Sequence, residues 1–183
     1  MTDKARPAAR DRQTTERAAE REFEQIFLEH WPAVYRLLAR LMGDGDEAED
    51  LALETFWRLH LHPPSQGRAS NLGGWLYRVA TNLGLNALRA RQRRTRRELA
   101  AGQETLQAPA ADDAIERIHS AEERAQVRLA LSRMEERQAQ LLLLRYSGLD
   151  YRELATALGV SPNSIGSLLV RAEREFEKRY KET

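Results

Sequence analysis

The sequence predicts an all-α protein in which two small helical domains are joined by a flexible linker. Apolar residues recur at helical spacing in several segments, and a glycine follows most of these segments. Residues 98–119 are rich in Ala, Gln and Asp and contain one proline, a composition typical of an inter-domain linker. We therefore expect a mobile N-terminal tail at 1–19, a first domain at 20–97 and a second domain at 120–183.

The composition excludes several classes of function. The chain has 183 residues and a net charge of +1, so a nucleic-acid surface would have to come from segregated charge. It contains no cysteine, which excludes disulfides, thiolate catalysis and thiolate zinc sites. No apolar run approaches the length of a membrane span, and the charged N-terminus is unlike a signal peptide. We expect a cytoplasmic protein without membrane insertion, metal or cofactor.

The first domain begins with two helical patterns. Apolar residues run from Phe23 to Met42, and we expect Pro32 to divide this segment into two helices or to bend one. Asp46 is expected to cap the next helix, from Glu47 to about His60, whose first turns are acidic. The following loop at 60–71 contains an isolated H-x-H pair, which we interpret as solvated loop rather than a metal site.

A third helix is predicted from Leu72 to about Gln92, and the chain then continues into a dense run of arginines. Its predicted apolar face consists of Leu76, Val79, Ala80, Leu83 and Ala87. Six arginines lie between Arg89 and Arg97. Such a density of guanidinium groups favours phosphate binding. The alternative is a solubilising helix end that the helix dipole stabilises.

The second domain is predicted to contain four helices, of which the last two form a helix-turn-helix. Ser120 and Glu123 have the spacing of a capping box, so we expect a helix from Ser120 to about Arg133, followed by a helix from Glu135 to Ser147. Asp150 and Glu153 have the same spacing and are expected to open the third helix.

The helix-turn-helix itself extends from Asp150 to Phe176. Gly159 is expected to end its first helix, and Ser161 with Pro162 to begin its second. The apolar face of the second helix is predicted to contain Ile165, Leu168, Leu169, Ala172 and Phe176. The opposite face carries small polar residues at its start and arginines further along, which is what a helix in the major groove of DNA needs. An ordinary helical hairpin is the alternative.

Three motifs, in order and in spacing, resemble those of the bacterial extracytoplasmic-function (ECF) sigma factors, over about residues 23–179. DEAEDLALETF, from Asp46 to Phe56, is similar to the polymerase-clamp motif of that family. WLYRVATN, from Trp75 to Asn82, is similar to its promoter-melting helix. ELA, GVSP, SI and RA, between Glu153 and Ala172, are similar to its reader of the upstream promoter element.

The chain also departs from the family pattern. Leu53 stands where the family usually has Gln, Thr81 where it often has Arg, and Asn86 where it often has Asp. The family usually carries basic residues near the positions of Gly166 and Leu168 in the recognition helix. This helix therefore lacks one phosphate contact that the resemblance would imply.

The resemblance implies a transcription initiation factor that binds core RNA polymerase, directs it to promoters and helps to melt the downstream element. The implied polymerase-binding residues are Asp46, Glu49, Asp50, Glu54, Phe56 and Arg58. The implied downstream-promoter residues are Trp75, Arg78, Asn82, Arg89, Arg93 and Arg94. The implied upstream-promoter residues are Ser161, Asn163, Ser164, Ser167 and Arg171. Promoter DNA and core RNA polymerase are the expected partners, and an anti-sigma factor is a further one because such partners are common in the family.

Two other classes of function compete with this one. A stand-alone helix-turn-helix regulator would bind duplex DNA tightly without polymerase and would tolerate loss of Asp50 and Glu54. An enzyme has no support, because the chain has no cysteine, only four histidines and no Gly-rich phosphate loop. No catalytic residue is therefore predicted.

Overall fold

The structure is a computed structural model that describes residues 6–64, 71–101 and 114–182. The regular elements in these ranges are α-helices, as the sequence predicts. They are α1 (Arg6–Met42), α2 (Gly45–Leu61), α3 (Leu72–Ala100), α4 (Ala114–Arg133), α5 (Glu136–Tyr146), α6 (Tyr151–Leu158) and α7 (Pro162–Lys181). The predicted linker at 98–119 is helical at both ends, and its centre lies outside the described residues.

Helix α1 is longer and less interrupted than predicted. It begins at Arg6, so the backbone at 6–19 is helical where a tail was expected. Pro32 lies inside this single helix and does not divide it. The proline removes one hydrogen bond to the carbonyl of Leu28. Leu28 is 66% exposed, so water can hydrogen-bond to that carbonyl and the helix continues.

Helix α2 begins earlier than predicted, because Asp44 caps it rather than Asp46. The backbone N–H of Glu47 donates to Oδ1 of Asp44 at 3.0 Å. Gly43 has a φ of +71° and ends α1, so only two residues separate the helices. The first domain then packs α1, α2 and α3 around a core that contains Val34, Leu38, Phe56, Leu76 and Ala80.

The second domain consists of α4 to α7, and its helix-turn-helix begins and turns as predicted, while α7 continues beyond Phe176 to Lys181. Glu153 and Asp150 exchange the two hydrogen bonds of a capping box, and Gly159 ends α6 with a φ of +66°.

The prediction that Ser120 begins α4 is wrong, since the helix starts at Ala114. A serine three residues before a glutamate has the same spacing inside a helix as at its start, so the pattern did not distinguish them.

Helix α3 belongs to the first domain and also packs against the second. It contacts α1 and α2 on one side and α4, α5 and α6 on the other. Leu85 and Leu88 are buried with Leu144 of α5 in one apolar cluster that spans the two domains. The predicted face was therefore incomplete: Leu76 and Ala80 are buried as expected, but part of the buried surface lies on the side that faces the second domain.

Candidate nucleic-acid and partner interfaces

An acidic stripe follows one side of α2. Asp46, Asp50 and Glu54 are spaced by four residues, so their side chains lie one above another. Asp46 and Asp50 are exposed, as is Glu49 beside them. Glu54 accepts a hydrogen bond of 2.8 Å from Nε of Arg58, and both side chains are partly exposed, so this pair adds little stability. The carboxylates remain accessible to a basic partner.

Phe56 supports this surface from inside the domain. It is 2% exposed, and its ring centroid lies 4.8 Å from that of Phe27 and 5.9 Å from that of Trp31. Phe56 was predicted among the polymerase-binding residues, but in this arrangement it holds α2 against α1 and does not reach the surface.

Apolar side chains lie beside the acidic stripe and were not predicted as part of the site. Leu53 is 48% exposed and Trp57 is 57% exposed. They line a cleft of about 1130 Å³ between α1 and α2, together with Phe23, and Asp50 lies at the same cleft. Exposed apolar groups beside charged groups are typical of a protein-binding surface. Glu49, Leu53 and Trp57 are four residues apart, so they share one side of α2. This spacing was visible in the sequence and would have revealed the exposed apolar side chains next to the acidic stripe.

The predicted downstream-promoter residues lie along α3, where the second domain engages two of the first three. Nη1 of Arg78 donates to the carbonyl of Ala157 at 3.3 Å. Oδ1 of Asn82 accepts a hydrogen bond of 2.7 Å from Nε2 of Gln140. Trp75 is half-buried against the core of the first domain. The face from Trp75 to Asn82 is therefore largely occupied.

Arg89 is held more extensively still, whereas the arginines beyond it are exposed. Its Nε and Nη2 donate to the carbonyls of Ser132 and Met134 at 3.4 and 3.2 Å. Its Nη1 pairs with Oε2 of Glu136 at 3.2 Å. Arg93 and Arg94 are both exposed. Half of the predicted downstream set thus binds the second domain in this arrangement.

The predicted upstream-promoter residues share the outer face of α7. Ser161, Asn163, Ser167 and Arg171 are exposed, and Ser164 is half-buried. The hydroxyl groups of Ser164 and Ser167 donate to carbonyls three residues earlier, at 2.6 and 3.0 Å. These bonds leave the serine oxygens free to accept. The opposite face of the helix buries Ile165, Leu169 and Ala172 as predicted.

The family resemblance implies a base-capturing loop at Gln66 to Gly74, and this segment lies mostly outside the described residues. At the end of this segment, Oδ1 of Asn71 accepts from the backbone N–H of Gly74 at 2.8 Å and so caps α3.

Among the described residues, no helix is both long and apolar enough to cross a membrane.

Two family models match the chain, in the order of its two domains. Sigma-70 region 2 matches residues 26–94, and Sigma-70, region 4, matches residues 124–176. The class of protein is therefore that of sigma-70 factors which combine these two regions. The chain belongs to the ECF sigma factor family.

Individual relatives agree with this assignment. The chain is 33% identical over 165 residues to the ECF RNA polymerase sigma factor SigE of Mycolicibacterium smegmatis, and the match covers 89% of the chain and 63% of SigE. It is 27% identical over 171 residues to the RNA polymerase sigma-H factor of Pseudomonas aeruginosa, covering 89% and 88%. The chain thus spans less than two thirds of the length of SigE.

A solved structure shares the fold. It is that of the sigma factor RpoE from Bartonella quintana in complex with the anti-sigma factor NepR. The TM-score is 0.50 at 22% sequence identity, and the match covers 87% of this chain and 97% of RpoE. This similarity supports the all-α, two-domain architecture.

Proposed function

We propose that this protein is a transcription initiation factor that binds core RNA polymerase and directs it to specific promoters. The first domain binds the polymerase and the downstream promoter element, which it helps to melt. The second domain reads the upstream element. The observation that carries the proposal is the combination of a region 2 domain and a region 4 domain in one chain.

The polymerase-binding role rests on the surface of α2. Its carboxylates at Asp46, Glu49 and Asp50 face solvent next to the exposed side chains of Leu53 and Trp57. A partner helix with a basic stripe and an apolar stripe complements such a surface in both charge and hydrophobicity. By the family resemblance, this partner is a coiled-coil segment of the polymerase clamp.

The promoter-binding role requires the two domains to separate. Arg78, Asn82 and Arg89 already bind groups of the second domain, which therefore competes with DNA for these side chains. Docking on polymerase at two separate points would exchange these contacts for contacts with the enzyme and the promoter. The packed arrangement is then the resting form of the free factor.

A stand-alone regulator explains the helix-turn-helix but not the first domain. Such a protein needs neither the acidic stripe nor the apolar cleft of α2. The proposal includes a cytoplasmic location, where core polymerase and DNA are found. It also includes an anti-sigma partner, as RpoE of Bartonella quintana has in the complex with NepR.

The decisive test is run-off transcription with core polymerase over fragments of the source genome. We expect transcripts from a defined set of promoters with the wild-type chain. Asp50→Ala with Glu54→Ala should abolish them while circular dichroism remains unchanged. Glu122→Ala with Glu123→Ala, two exposed carboxylates on α4, is the matched control and should initiate normally. Retained initiation by the α2 variant would refute the polymerase-binding role and favour the regulator.

A further inference from the structure

A basic cleft of about 580 Å³ lies at the seam between the two domains. The distal part of α3 forms one wall, and the ends of α4 and α7 form the other. Five arginines line it, namely Arg89, Arg93, Arg96, Arg133 and Arg179. Glu182 carries the only carboxylate among the described residues that line the cleft. Neither Arg133 nor Arg179 has a predicted role in promoter binding.

Carboxylates compensate only some of these charges. Arg89 pairs with Glu136 at 3.2 Å, and Arg179 pairs with Glu175 at 2.7 Å and with Glu182 at 3.4 Å. Arg133 donates instead to the backbone carbonyl of Glu182 at 3.3 Å.

The remaining two arginines of the cleft lie on α3. The structure shows no carboxylate within 4 Å of Arg93 or Arg96 in the part of the chain that it describes. With Arg133, three guanidinium groups from two domains therefore face one cleft without a carboxylate partner among the described residues. Like charges held together in this way repel one another unless an anion lies between them.

A neutral donor at the same cleft also lacks an acceptor. Gln92 lines the cleft, and its Nε2 is buried without a hydrogen-bond partner among the described residues. A buried unsatisfied amide is rare in native structures and indicates that a partner is missing.

The lining also indicates what kind of anion fits. Guanidinium groups bind phosphate oxygens through two parallel hydrogen bonds. The described lining residues include no aromatic ring, so the cleft offers no surface on which a nucleobase could stack. About three uncompensated positive charges match a chain of two or three phosphate groups rather than a single one. The volume lies within the range of small-molecule sites.

We propose that this cleft binds a small polyphosphate anion, which bridges the two domains and stabilises their packed arrangement. Arg93 and Arg96 supply the contacts from the first domain, and Arg133 and Arg179 those from the second. Because Arg93 is also a predicted promoter contact, the anion and promoter DNA compete for the free factor. The basic character of the seam extends further, since burial and the charges of Arg91 and Arg124 lower the pKa of Arg128 on α4.

The test is isothermal titration calorimetry of the full chain with inorganic tripolyphosphate, at constant ionic strength and without polymerase. We expect Arg133→Ala with Arg179→Ala to weaken binding about tenfold or more. Arg152→Ala with Arg174→Ala removes the same charge from exposed sites of the same domain and should bind like the wild type. Arg96→Glu changes an exposed side chain that supports no fold contact, and it should also weaken binding about tenfold or more.

Two results would overturn the proposal. One is equal tripolyphosphate affinity in the wild type, the Arg133/Arg179 variant and Arg96→Glu. The other is an equal loss in the Arg152/Arg174 control, which would mean that net charge alone matters.

A second arm separates a free polyphosphate from DNA phosphate. Run-off transcription by the Arg133/Arg179 variant should equal that of the wild type, because neither residue is placed on the promoter. Loss of transcription with unchanged tripolyphosphate binding would assign the cleft to DNA and refute the proposal. Since the calorimetry uses neither polymerase nor promoter, its result does not depend on the initiation function.

Discussion

Nε2 of Gln140 lies 2.7 Å from Oδ1 of Asn82, and this contact joins the second domain to the predicted promoter face of the first. The same nitrogen also lies 3.1 Å from the carbonyl of Arg78 and 3.1 Å from Oγ1 of Thr81. Gln140 is 5% exposed. All three acceptors are on α3, so a single buried amide holds the domains in register. While Asn82 accepts from Gln140, one of the two lone pairs of this oxygen is already engaged.

We predict that Gln140→Glu opens the free protein. A carboxylate of the same shape would face three acceptors and donate to none, so the packed form should lose about 2 kcal/mol, or roughly 30-fold in its equilibrium with the open form. Small-angle scattering should show a larger radius of gyration, and fluorescence anisotropy should show tighter binding to a promoter duplex without polymerase. Gln138→Glu, with the same charge change on the same helix, is the control. Equal DNA affinity in both variants would contradict the prediction.

The arginines at the end of α3 should contribute to promoter affinity by neutralising phosphates. Arg93→Ala with Arg94→Ala should weaken promoter binding and flatten its salt dependence by about one slope unit for each phosphate that is no longer neutralised. Both side chains are exposed, so the fold should be unaffected. The measurement is the promoter affinity of the polymerase complex across a salt series, with Arg36→Ala and Arg40→Ala, two exposed arginines of α1, as the control pair. An unchanged slope would mean that these arginines do not bind phosphate.

The sequence predicted best those features that depend on a few neighbouring residues. The capping box of Asp150 and Glu153 and the left-handed Gly159 are local devices, and both are present. The buried side of α7 followed from apolar spacing alone. The start of α2 was misplaced because Asp44 and Asp46 are both acceptable caps, and only the backbone geometry selects Asp44.

Features that depend on contacts between distant segments could not be predicted. Gln140 interrupts an apolar stretch of α5, but its acceptors lie 58 to 62 residues earlier in the chain. Leu85 is buried because a second domain covers a side of α3 that lies outside the predicted apolar face. Apolar periodicity assumes one core, and α3 contributes to two clusters. Residues of α3 that were predicted to bind DNA instead contact the second domain of the same chain in this structure.

Trp57 should contribute more to polymerase binding than its neighbours on α2. It is 57% exposed beside the apolar cleft, and buried aromatic side chains often dominate protein interfaces. Trp57→Ala should weaken binding of core polymerase by about 1–2 kcal/mol, or roughly 5- to 30-fold, with little change in stability. Tyr146→Ala, which removes a 76% exposed aromatic ring from α5, is the matched control. Equal polymerase affinities of the two variants in a co-purification titration would place the contact elsewhere.

Two glycines inside helices should respond to alanine in opposite directions. A Cβ at Gly84 would overlap Cδ2 of Leu41 and lie 3.2 Å from Cδ2 of Leu38, and both leucines are buried where α3 crosses α1. A Cβ at Gly166 would meet its nearest neighbour, Cε2 of Tyr151, at 3.9 Å, which is ordinary contact.

Gly84→Ala should therefore lower the free energy of unfolding by about 1–2 kcal/mol, because overpacking outweighs the gain in helix propensity. Gly166→Ala should raise it by up to about 1 kcal/mol. Urea denaturation followed by circular dichroism measures both. A stabilising Gly84→Ala would mean that α1 and α3 can separate without cost. Loss of promoter affinity in a stabilised Gly166→Ala would show that α7 needs this glycine for close approach to DNA rather than for its own fold.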